Sequence, residues 1–152
     1  MLGPPLRYVL PYKNLYELIK AALERFRPNH LRLDNRRAGT NTNRPPEAQY
    51  QIELYRCLHD VTGGSVRISP EYATAQGSKQ GRLDFFLPEE EWGIEFPCDG
   101  KNLQEHANRF GSNGAYSRSI GMTDYILVDC RLDHPRTPYT STSTVYAVPP
   151  SI

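Results

Sequence analysis

Two short apolar runs on either side of one turn constrain the fold of this chain more than any other feature. They occupy residues 82–87 and 92–97 and are separated by Pro-Glu-Glu-Glu. If these four residues form the turn, Leu87 pairs with Trp92, and Asp84 lies directly opposite Glu95. One face then carries Leu83, Phe85, Leu87, Trp92, Ile94 and Phe96, and the other carries Arg82, Asp84, Phe86, Gly93, Glu95 and Pro97. Because a one-residue slip would mix the two faces, the sequence predicts an antiparallel hairpin in this register at about 82–97.

The acids Asp84 and Glu95 stand inside these otherwise apolar runs. Opposed residues on such a strand pair have Cβ atoms about 4.5–5.5 Å apart, so the two carboxylates would repel each other. A bound cation, a shared proton or a basic neighbour would offset this repulsion. Mg²⁺ or Mn²⁺ is one solution, because hard divalent ions prefer oxygen ligands. An ion-pair cluster, with Arg82 or another arginine between the acids, is the other.

Two helices are predicted ahead of the hairpin. Asn14 and Glu17 form a capping-box pattern at the start of the first helix, and Pro28 ends it. The second helix covers about 47–61, between a pair of prolines and a pair of glycines. Its predicted core face consists of Ala48, Ile52, Tyr55 and Leu58. Glu47 and Gln51 lie on a neighbouring stripe, one turn apart, and are expected to project together.

The rest of the chain is predicted to contain three further strands and one helix. The strands cover 66–72, with an interruption at Pro70, 124–130 and, as an edge strand, 141–148, whereas 74–81 is predicted to be a polar loop. The helix covers about 102–110, with His106 and Arg109 off its apolar stripe. We interpret His106 as a packing residue. The pattern predicts one α/β domain over 1–152, with a basic loop at 28–46 and a Pro-rich tail at 133–152.

Composition excludes several classes of protein. The chain has 152 residues, 38% of them hydrophobic, and a net charge of +1. No run approaches the roughly 18 apolar residues of a membrane span, and the first residues lack the apolar stretch of a secretory signal. Three cysteines, far apart and without metal-ligand spacing, argue against a disulfide framework. A reducing intracellular compartment fits this composition best.

The near-neutral net charge hides a basic segment between Arg25 and Arg44. Six arginines stand there against one acid, Asp34. These arginines are Arg25, Arg27, Arg32, Arg36, Arg37 and Arg44. Such a cluster can bind phosphates, because each neutralised phosphate releases counterions. A solvated loop is the alternative.

The order of acids and elements resembles the PD-(D/E)XK restriction-endonuclease-like superfamily: a helix with Glu, a strand with Asp, a strand with Glu and a further helix. The segments RPPEAQYQIELYRCLHDVTGG, GRLDFFLPEEEWGIEF and DGKNLQEHANRF are similar to the nuclease-type C-terminal domain of Crinkler-like proteins of fungi and oomycetes. The resemblance covers about residues 15–148. It implies a mixed central sheet flanked by helices, with a restriction-endonuclease-like core.

The resemblance also implies a site. Glu47, Asp84 and Glu95 would bind Mg²⁺ or Mn²⁺ and Gln51 would assist them in hydrolysing phosphodiester bonds of DNA. The family places a basic residue shortly after the second acid, where this chain has Pro97 and then Cys98. Lys101, the nearest downstream base, is the predicted catalytic base in its place, with Lys79 before the hairpin as the alternative. Nucleic-acid contacts would come from Arg32, Arg36, Arg37, Arg44, Arg109 and Arg118.

Three functions remain open at this point. The first is an active metal-dependent DNA nuclease, with RNA as an alternative substrate. The second is a catalytically degenerate relative that binds nucleic acid or a protein partner without cleavage, and the third is an unrelated α/β interaction domain with a chance acidic pair. For a Crinkler-like effector, the resemblance implies a nuclear location, the host nucleus if the protein is secreted, no membrane partner, and an NTPase-like region N-terminal to this domain. It is also compatible with a homodimer.

Overall fold

A computed structural model describes residues 9–31, 47–76, 79–97, 103–110, 122–131 and 144–147 of the chain. It contains three α-helices, a short 3₁₀ helix and five strands within these ranges. The helices are α1 (Leu15–Leu23), α2 (Glu47–Val61) and α3 (Leu103–Phe110), with the 3₁₀ helix at Pro28–Leu31. The strands are β1 (Ser69–Gln76), β2 (Lys79–Leu87), β3 (Trp92–Glu95), β4 (Asp124–Cys130) and β5 (Thr144–Ala147).

The five strands form one mixed sheet in the order β1-β2-β3-β4-β5. The pairs β1–β2 and β2–β3 are antiparallel, whereas β3–β4 and β4–β5 are parallel. Parallel neighbours need a crossover connection, and α3 lies in the one between β3 and β4. The predicted α/β class, with a mixed sheet flanked by helices, is therefore confirmed.

Helices cover both faces of this sheet. Residues of α1 and α2 share the main hydrophobic core with Ile126 and Val128 of β4. The neighbouring Tyr125, which points to the opposite face, stacks on Phe110 of α3 with ring centroids 4.1 Å apart. Phe110 also packs on a second, smaller cluster built around Leu83. The described elements thus form three layers, with α1 and α2 on one face and α3 on the other.

The first helix begins where its capping residues predicted. The Glu17 amide donates to Asn14 Oδ1 at 2.9 Å, which satisfies one of the free amides of the first turn. The Glu17 carboxylate accepts from the amide of Lys13 at 3.1 Å, one residue earlier than in a capping box. The buried side is apolar and comprises Leu15, Leu18, Ile19 and Ala22.

The bounds of α2 match the prediction, and Leu58 of its predicted core face is buried, but the other three residues of that face are exposed. Ile52 is 70% exposed and Tyr55 is 39% exposed, and Ala48 is also exposed. The buried residues are Tyr50, Glu53, Leu54, Cys57 and Leu58. The physical reason is that α2 shares one core with both α1 and the sheet, so its buried stripe is displaced around the helix. Leu54 and Leu58 therefore continue the stripe on which Glu47 and Gln51 stand.

The strand boundaries before the hairpin also differ from the prediction. Strand β1 begins at Ser69 and β2 at Lys79, so most of the predicted loop at 74–81 is paired strand. Its backbone partners run from Ala73 with Arg82 to Gln76 with Lys79. Polar residues can form strand here because β1 is an edge strand, where backbone pairing does not require two apolar faces.

The C-terminal strands agree with the prediction. Strand β4 is an interior strand with the predicted bounds, and β5 forms the edge of the sheet. The rest of the predicted Pro-rich tail, and residues 32–46 of the basic loop, lie outside the described residues. Within the described ranges, no helix combines the length and the apolar character needed to cross a bilayer.

Candidate active site

The hairpin of β2 and β3 has the predicted register. Leu87 pairs with Trp92, Phe86 with Gly93 and Phe85 with Ile94. The side chains of the predicted apolar face mostly join the main core, namely Phe85, Leu87, Ile94 and Phe96, with Trp92 packed against them. The sequence pattern therefore identified both the turn and the core face of the hairpin.

The predicted alternation fails at Leu83 and Asp84. Leu83 is fully buried, but it lies with Phe86 in the small cluster on the α3 side. The Asp84 carboxylate instead accepts a hydrogen bond of 3.1 Å from Gln51 of α2, on the other side of the sheet. The backbone pairing of β2 with β3 ends at Phe85 and Ile94, one pair before Asp84 and Glu95. Asp84 Oδ2 instead accepts a hydrogen bond from the Phe96 amide at 2.8 Å. The strict two-face assignment is wrong at these two residues because the regular pairing stops here. The prediction that Asp84 and Glu95 share one face is therefore also wrong, since Asp84 contacts α2 and Glu95 contacts α3.

A single amide group joins two of the predicted catalytic acids. Gln51 Nε2 donates to Glu47 Oε1 at 3.0 Å and to Asp84 Oδ1 at 3.1 Å. These two contacts to one nitrogen limit the separation of the two carboxylate oxygens to about 6 Å. The helix stripe that carries Glu47 and Gln51 thus meets β2 at Asp84, as the sequence predicted for this trio.

Asp84 lies in an environment that disfavours its charge. Burial is the main effect and raises the pKa of Asp84 to about 6, from an ordinary value of 3.8. The Phe96 amide opposes this rise, whereas the negative charges of Glu95 and Glu47 add to it. His106 acts in the opposite direction. Glu95 and Glu47 are therefore both close enough to act electrostatically on Asp84.

Glu95 has basic neighbours, and they come from α3. Its side chain is 1% exposed, with Oε2 2.5 Å from His106 Nδ1 and Oε1 3.3 Å from Arg109 Nη1. A hydrogen bond therefore joins the His106 ring to the Glu95 carboxyl group. The hydrogen bond to Glu95 raises the pKa of His106, although burial opposes it. Arg109 also reaches Glu105 at 3.4 Å.

These contacts change the interpretation of three bases. His106, which the sequence suggested as a packing residue, and Arg109, predicted to bind nucleic acid, both bind Glu95. Their spacing of three residues on one helix face was the available signal. Arg82, predicted to stand between the acids, instead pairs with Glu71 at 3.6 Å at the exposed surface. The ion-pair alternative is thus realised at Glu95 by α3.

The acids have the right ligand chemistry for a divalent cation, but their side chains are not yet spaced to bind one. Carboxylate and amide oxygens are the ligands that Mg²⁺ prefers, at about 2.0–2.1 Å. Among the described residues, no three His, Cys, Asp or Glu side chains are grouped closely enough to hold a metal ion. Glu47 is exposed at the start of α2, so its side chain can move toward Asp84 without repacking the core.

A second buried glutamate, on α2, contacts the described part of the basic segment. Glu53 of α2 is 2% exposed and accepts from Arg56 Nη2 at 2.6 Å and from the Arg27 amide at 2.7 Å. His30 Nδ1 lies 2.6 Å from its other oxygen. Sequence reasoning missed this cluster, because a glutamate within a helix gives no sign of burial by itself. It ties the 3₁₀ helix to α2.

Several predicted residues lie outside the described part of the chain. These are the predicted base Lys101, and Arg32, Arg36, Arg37, Arg44 and Arg118 among the predicted nucleic-acid contacts. Cys98, at the position where the family pattern has a base, also lies outside it. Arg25, at the start of the basic segment, forms an exposed ion pair of 2.9 Å with Asp60. Pro97 is described, and it is buried.

Comparison with models of known protein families, with curated proteins and with solved structures gave no match to this chain. The likeness to Crinkler-like nuclease domains therefore rests on the motifs in the sequence.

Proposed function

We propose that this domain is a metal-dependent phosphodiester hydrolase that acts on DNA. The observation that carries the proposal is the position of Gln51 Nε2, about 3 Å from carboxylates of both Glu47 and Asp84. An amide donor there takes the place in which a cation would offset the repulsion between two acids from different elements. Glu95, the third acid of the family pattern, acts electrostatically on Asp84.

Glu47 and Asp84 would hold the ion, with the oxygen of Gln51 available once its amide turns over. Mg²⁺ or Mn²⁺, when bound, supplies charge stabilisation and activates a water molecule. The Phe96 amide fixes one oxygen of Asp84, which leaves the other directed at Gln51 and Glu47. The chain thus contributes a pre-oriented carboxylate rather than a flexible one.

His106 and Arg109 would replace the basic residue that the family places after the second acid. Pro97 is buried and carries no charge, so β3 itself cannot supply this base. The two α3 residues are held by Glu95 and remain partly exposed, at 20% for His106 and 33% for Arg109. In this proposal they contact the phosphate group where the pairing of β2 with β3 ends next to Asp84, since the two faces of the sheet meet there.

The decisive experiment compares Asp84→Ala with Asp60→Ala. Asp60 is an exposed acid on the same helix as Gln51, about 13 Å further along the helix axis, and serves as the matched control. We expect Asp84→Ala to weaken Mn²⁺ binding by about a hundredfold in calorimetric titration and to abolish cleavage of DNA in Mg²⁺ or Mn²⁺. Asp60→Ala should match the wild type in both assays. Equal heats and equal cleavage in all three proteins would remove Asp84 from the site.

A catalytically degenerate nucleic-acid-binding domain is the second candidate. The observation that favours it is the pairing of both Glu95 oxygens with His106 and Arg109. A carboxylate held in this way has to exchange a base for a metal ion before it can act as a ligand. This alternative predicts salt-dependent binding of DNA or RNA, no Mn²⁺ heat and no cleavage by the wild-type protein.

A further inference from the structure

Glu71 has an unusual backbone conformation for a residue inside a strand. Two non-glycine residues of the described chain have a positive φ, Glu71 at 50° and Glu91 at 59°. Glu91 lies in the turn between β2 and β3, where such an angle is common. Glu71 lies within β1, an antiparallel strand in which L-residues adopt φ values near −140°. This strained residue therefore marks a local break in the strand.

The break lies opposite the predicted catalytic aspartate. Pro70 pairs with Phe85, and Tyr72 pairs with Leu83, so Glu71 stands across from Asp84. The ladder contains both flanking pairs but not this one. On its other side, the pairing of β2 with β3 also stops next to Asp84. Asp84 is therefore released from regular pairing on both sides.

The consequence is visible in the directions of two neighbouring side chains. Regular alternation would place Leu83 with Phe85 in the main core and Asp84 with Phe86 on the α3 side. Instead Leu83 packs with Phe86, and Asp84 accepts from Gln51 on the α2 side. Only with this reversal can the Asp84 carboxylate share the Gln51 amide with Glu47.

The side chain of Glu71 contributes little to this arrangement. It is 65% exposed, and its ion pair with Arg82 is long, at 3.6 Å, and equally exposed. We propose that Glu71 is a positioning residue whose left-handed backbone turns Asp84 toward Gln51 and Glu47. The consequence for metal binding rests on the proposed function, whereas the effect on the Asp84–Gln51 contact does not.

The test compares Glu71→Gly with Glu71→Val. Glycine adopts a positive φ without strain, whereas a β-branched residue strongly disfavours it. Glu71→Gln, which keeps the backbone preferences of glutamate, controls for the charge paired with Arg82. In each background, a double-mutant cycle with Gln51→Ala and Asp84→Ala measures their coupling by urea unfolding in chelator-containing buffer.

We expect a coupling factor of about two- to tenfold in the unfolding equilibrium constant for the wild type, Glu71→Gln and Glu71→Gly, and a factor near one for Glu71→Val. Glu71→Gly should itself lower the unfolding constant by about threefold, because the strain is relieved. Undiminished coupling in Glu71→Val overturns the proposal. A Glu71→Gly protein that unfolds more readily than the wild type also overturns it. If Glu71→Val does not fold, the stability of Glu71→Gly decides alone.

Mn²⁺ titration of the same variants extends the test to the site. Wild type and Glu71→Gly should bind alike, and Glu71→Val should lose at least about tenfold in affinity. A wild-type protein without Mn²⁺ heat would refute the proposed function, while the unfolding cycle would still decide the role of Glu71. Wild-type binding that Glu71→Val retains would refute the positioning role instead.

Discussion

Glu53 and Glu95 are two buried glutamates with nearly the same partners and very different neighbourhoods. Each lies about 2.5–2.6 Å from Nδ1 of a histidine, His30 or His106, and each accepts from an arginine. Both are at most 2% exposed. Residue type, burial and partner type therefore do not distinguish a structural acid from one in a candidate site.

The difference lies in whether the local charges balance. Burial by itself raises the pKa of Glu53, but hydrogen bonds from Arg56, the Arg27 amide and His30 outweigh it and hold this pKa below its ordinary value. Near Glu95, the bases of α3 bind Glu95 and Glu105, and the pKa of Asp84 remains raised to about 6. An acid cluster left with excess negative charge is where a function is expected, since folding alone would not select it.

The largest predicted effect is at the balanced cluster. Glu53→Gln leaves Arg56 and His30 beside a neutral buried group, so we expect a loss of about 3 kcal/mol in the free energy of unfolding at pH 7. Glu47→Gln, on the exposed first turn of the same helix, is the control and should change it by less than about 0.5 kcal/mol. Urea denaturation measures both. Equal small changes would show that Glu53 is not the anchor of the 3₁₀ helix.

The same cluster predicts a pH dependence with a definite sign. Because the pKa of Glu53 is lower in the folded protein than its ordinary 4.5, its ionised form stabilises the fold above that pH. This contribution should disappear as the pH falls through the folded pKa. Acid unfolding of Glu53→Gln should therefore be shallower below pH 4.5 than that of the wild type.

The opposite sign is expected at Asp84. Its folded pKa of about 6 exceeds the ordinary 3.8, so ionisation destabilises the fold, fully so above pH 6 and not at all below pH 3.8. In chelator-containing buffer at pH 8, Asp84→Asn should raise the free energy of unfolding by about 2 kcal/mol. Each pKa unit corresponds to about 1.4 kcal/mol, and the sum is reduced because water partly screens this charge. The gain should vanish near pH 4.

Added Mn²⁺ sharpens this prediction. If Asp84 binds the ion, saturating Mn²⁺ should stabilise the wild type and leave Asp84→Asn unchanged, which reverses their order of stability. Thermal unfolding with and without the metal measures the reversal. A variant that is less stable than the wild type in chelator at pH 8 would mean that Asp84 is structural, like Glu53.

The comparison also shows which parts of the molecule the sequence could predict. The hairpin register was predictable because two apolar runs of matched length, with Leu87 and Trp92 next to the turn, leave one pairing that keeps the faces separate. The bounds of α2 were predictable from its flanking prolines and glycines. The trio of Glu47, Gln51 and Asp84 followed from helical spacing together with the resemblance.

Other features depend on tertiary contacts that a one-dimensional pattern does not contain. The core face of α2 was mispredicted because Ile52 and Tyr55 fit a helical stripe as well as the residues that are buried. The side taken by Asp84 depends on the positive φ of Glu71 in a neighbouring strand. His106 was assigned to packing because its partner, Glu95, is eleven residues away in another element.

A moderate effect is expected from Gly93→Ala, which tests the α3 side alone. An added Cβ would overlap Met122 Sδ and lie 3.3 Å from Phe110, so α3 or Met122 must shift. We expect the free energy of unfolding to fall by about 1 kcal/mol. This is the lower end of the usual cost of overpacking, because the end of the methionine side chain is flexible. The Glu53 cluster, in the other layer, should be unaffected. Nuclear magnetic resonance shifts report on each side separately, with His106 for α3 and His30 for the Glu53 cluster. A change at His30 alone would contradict the placement of α3 and the Glu53 cluster on opposite faces of the sheet.

The smallest effect is predicted for Arg25→Ala, which removes an exposed ion pair from the edge of the balanced cluster. Arg25 and Asp60 are 56% and 49% exposed, so water and salt screen their attraction, and the loss should stay below about 0.5 kcal/mol. Arg56→Ala is the matched comparison, because Arg56 binds the buried Glu53 and donates to the Arg25 carbonyl at 2.8 Å. Arg56→Ala should lower the free energy of unfolding several times more than Arg25→Ala does. If the two variants were equally stable, burial would not explain the contrast between paired acids in this protein. If Arg25→Ala also lowered the salt dependence of DNA binding by about one phosphate contact, the basic segment would begin its phosphate contacts at Arg25, despite its pairing with Asp60.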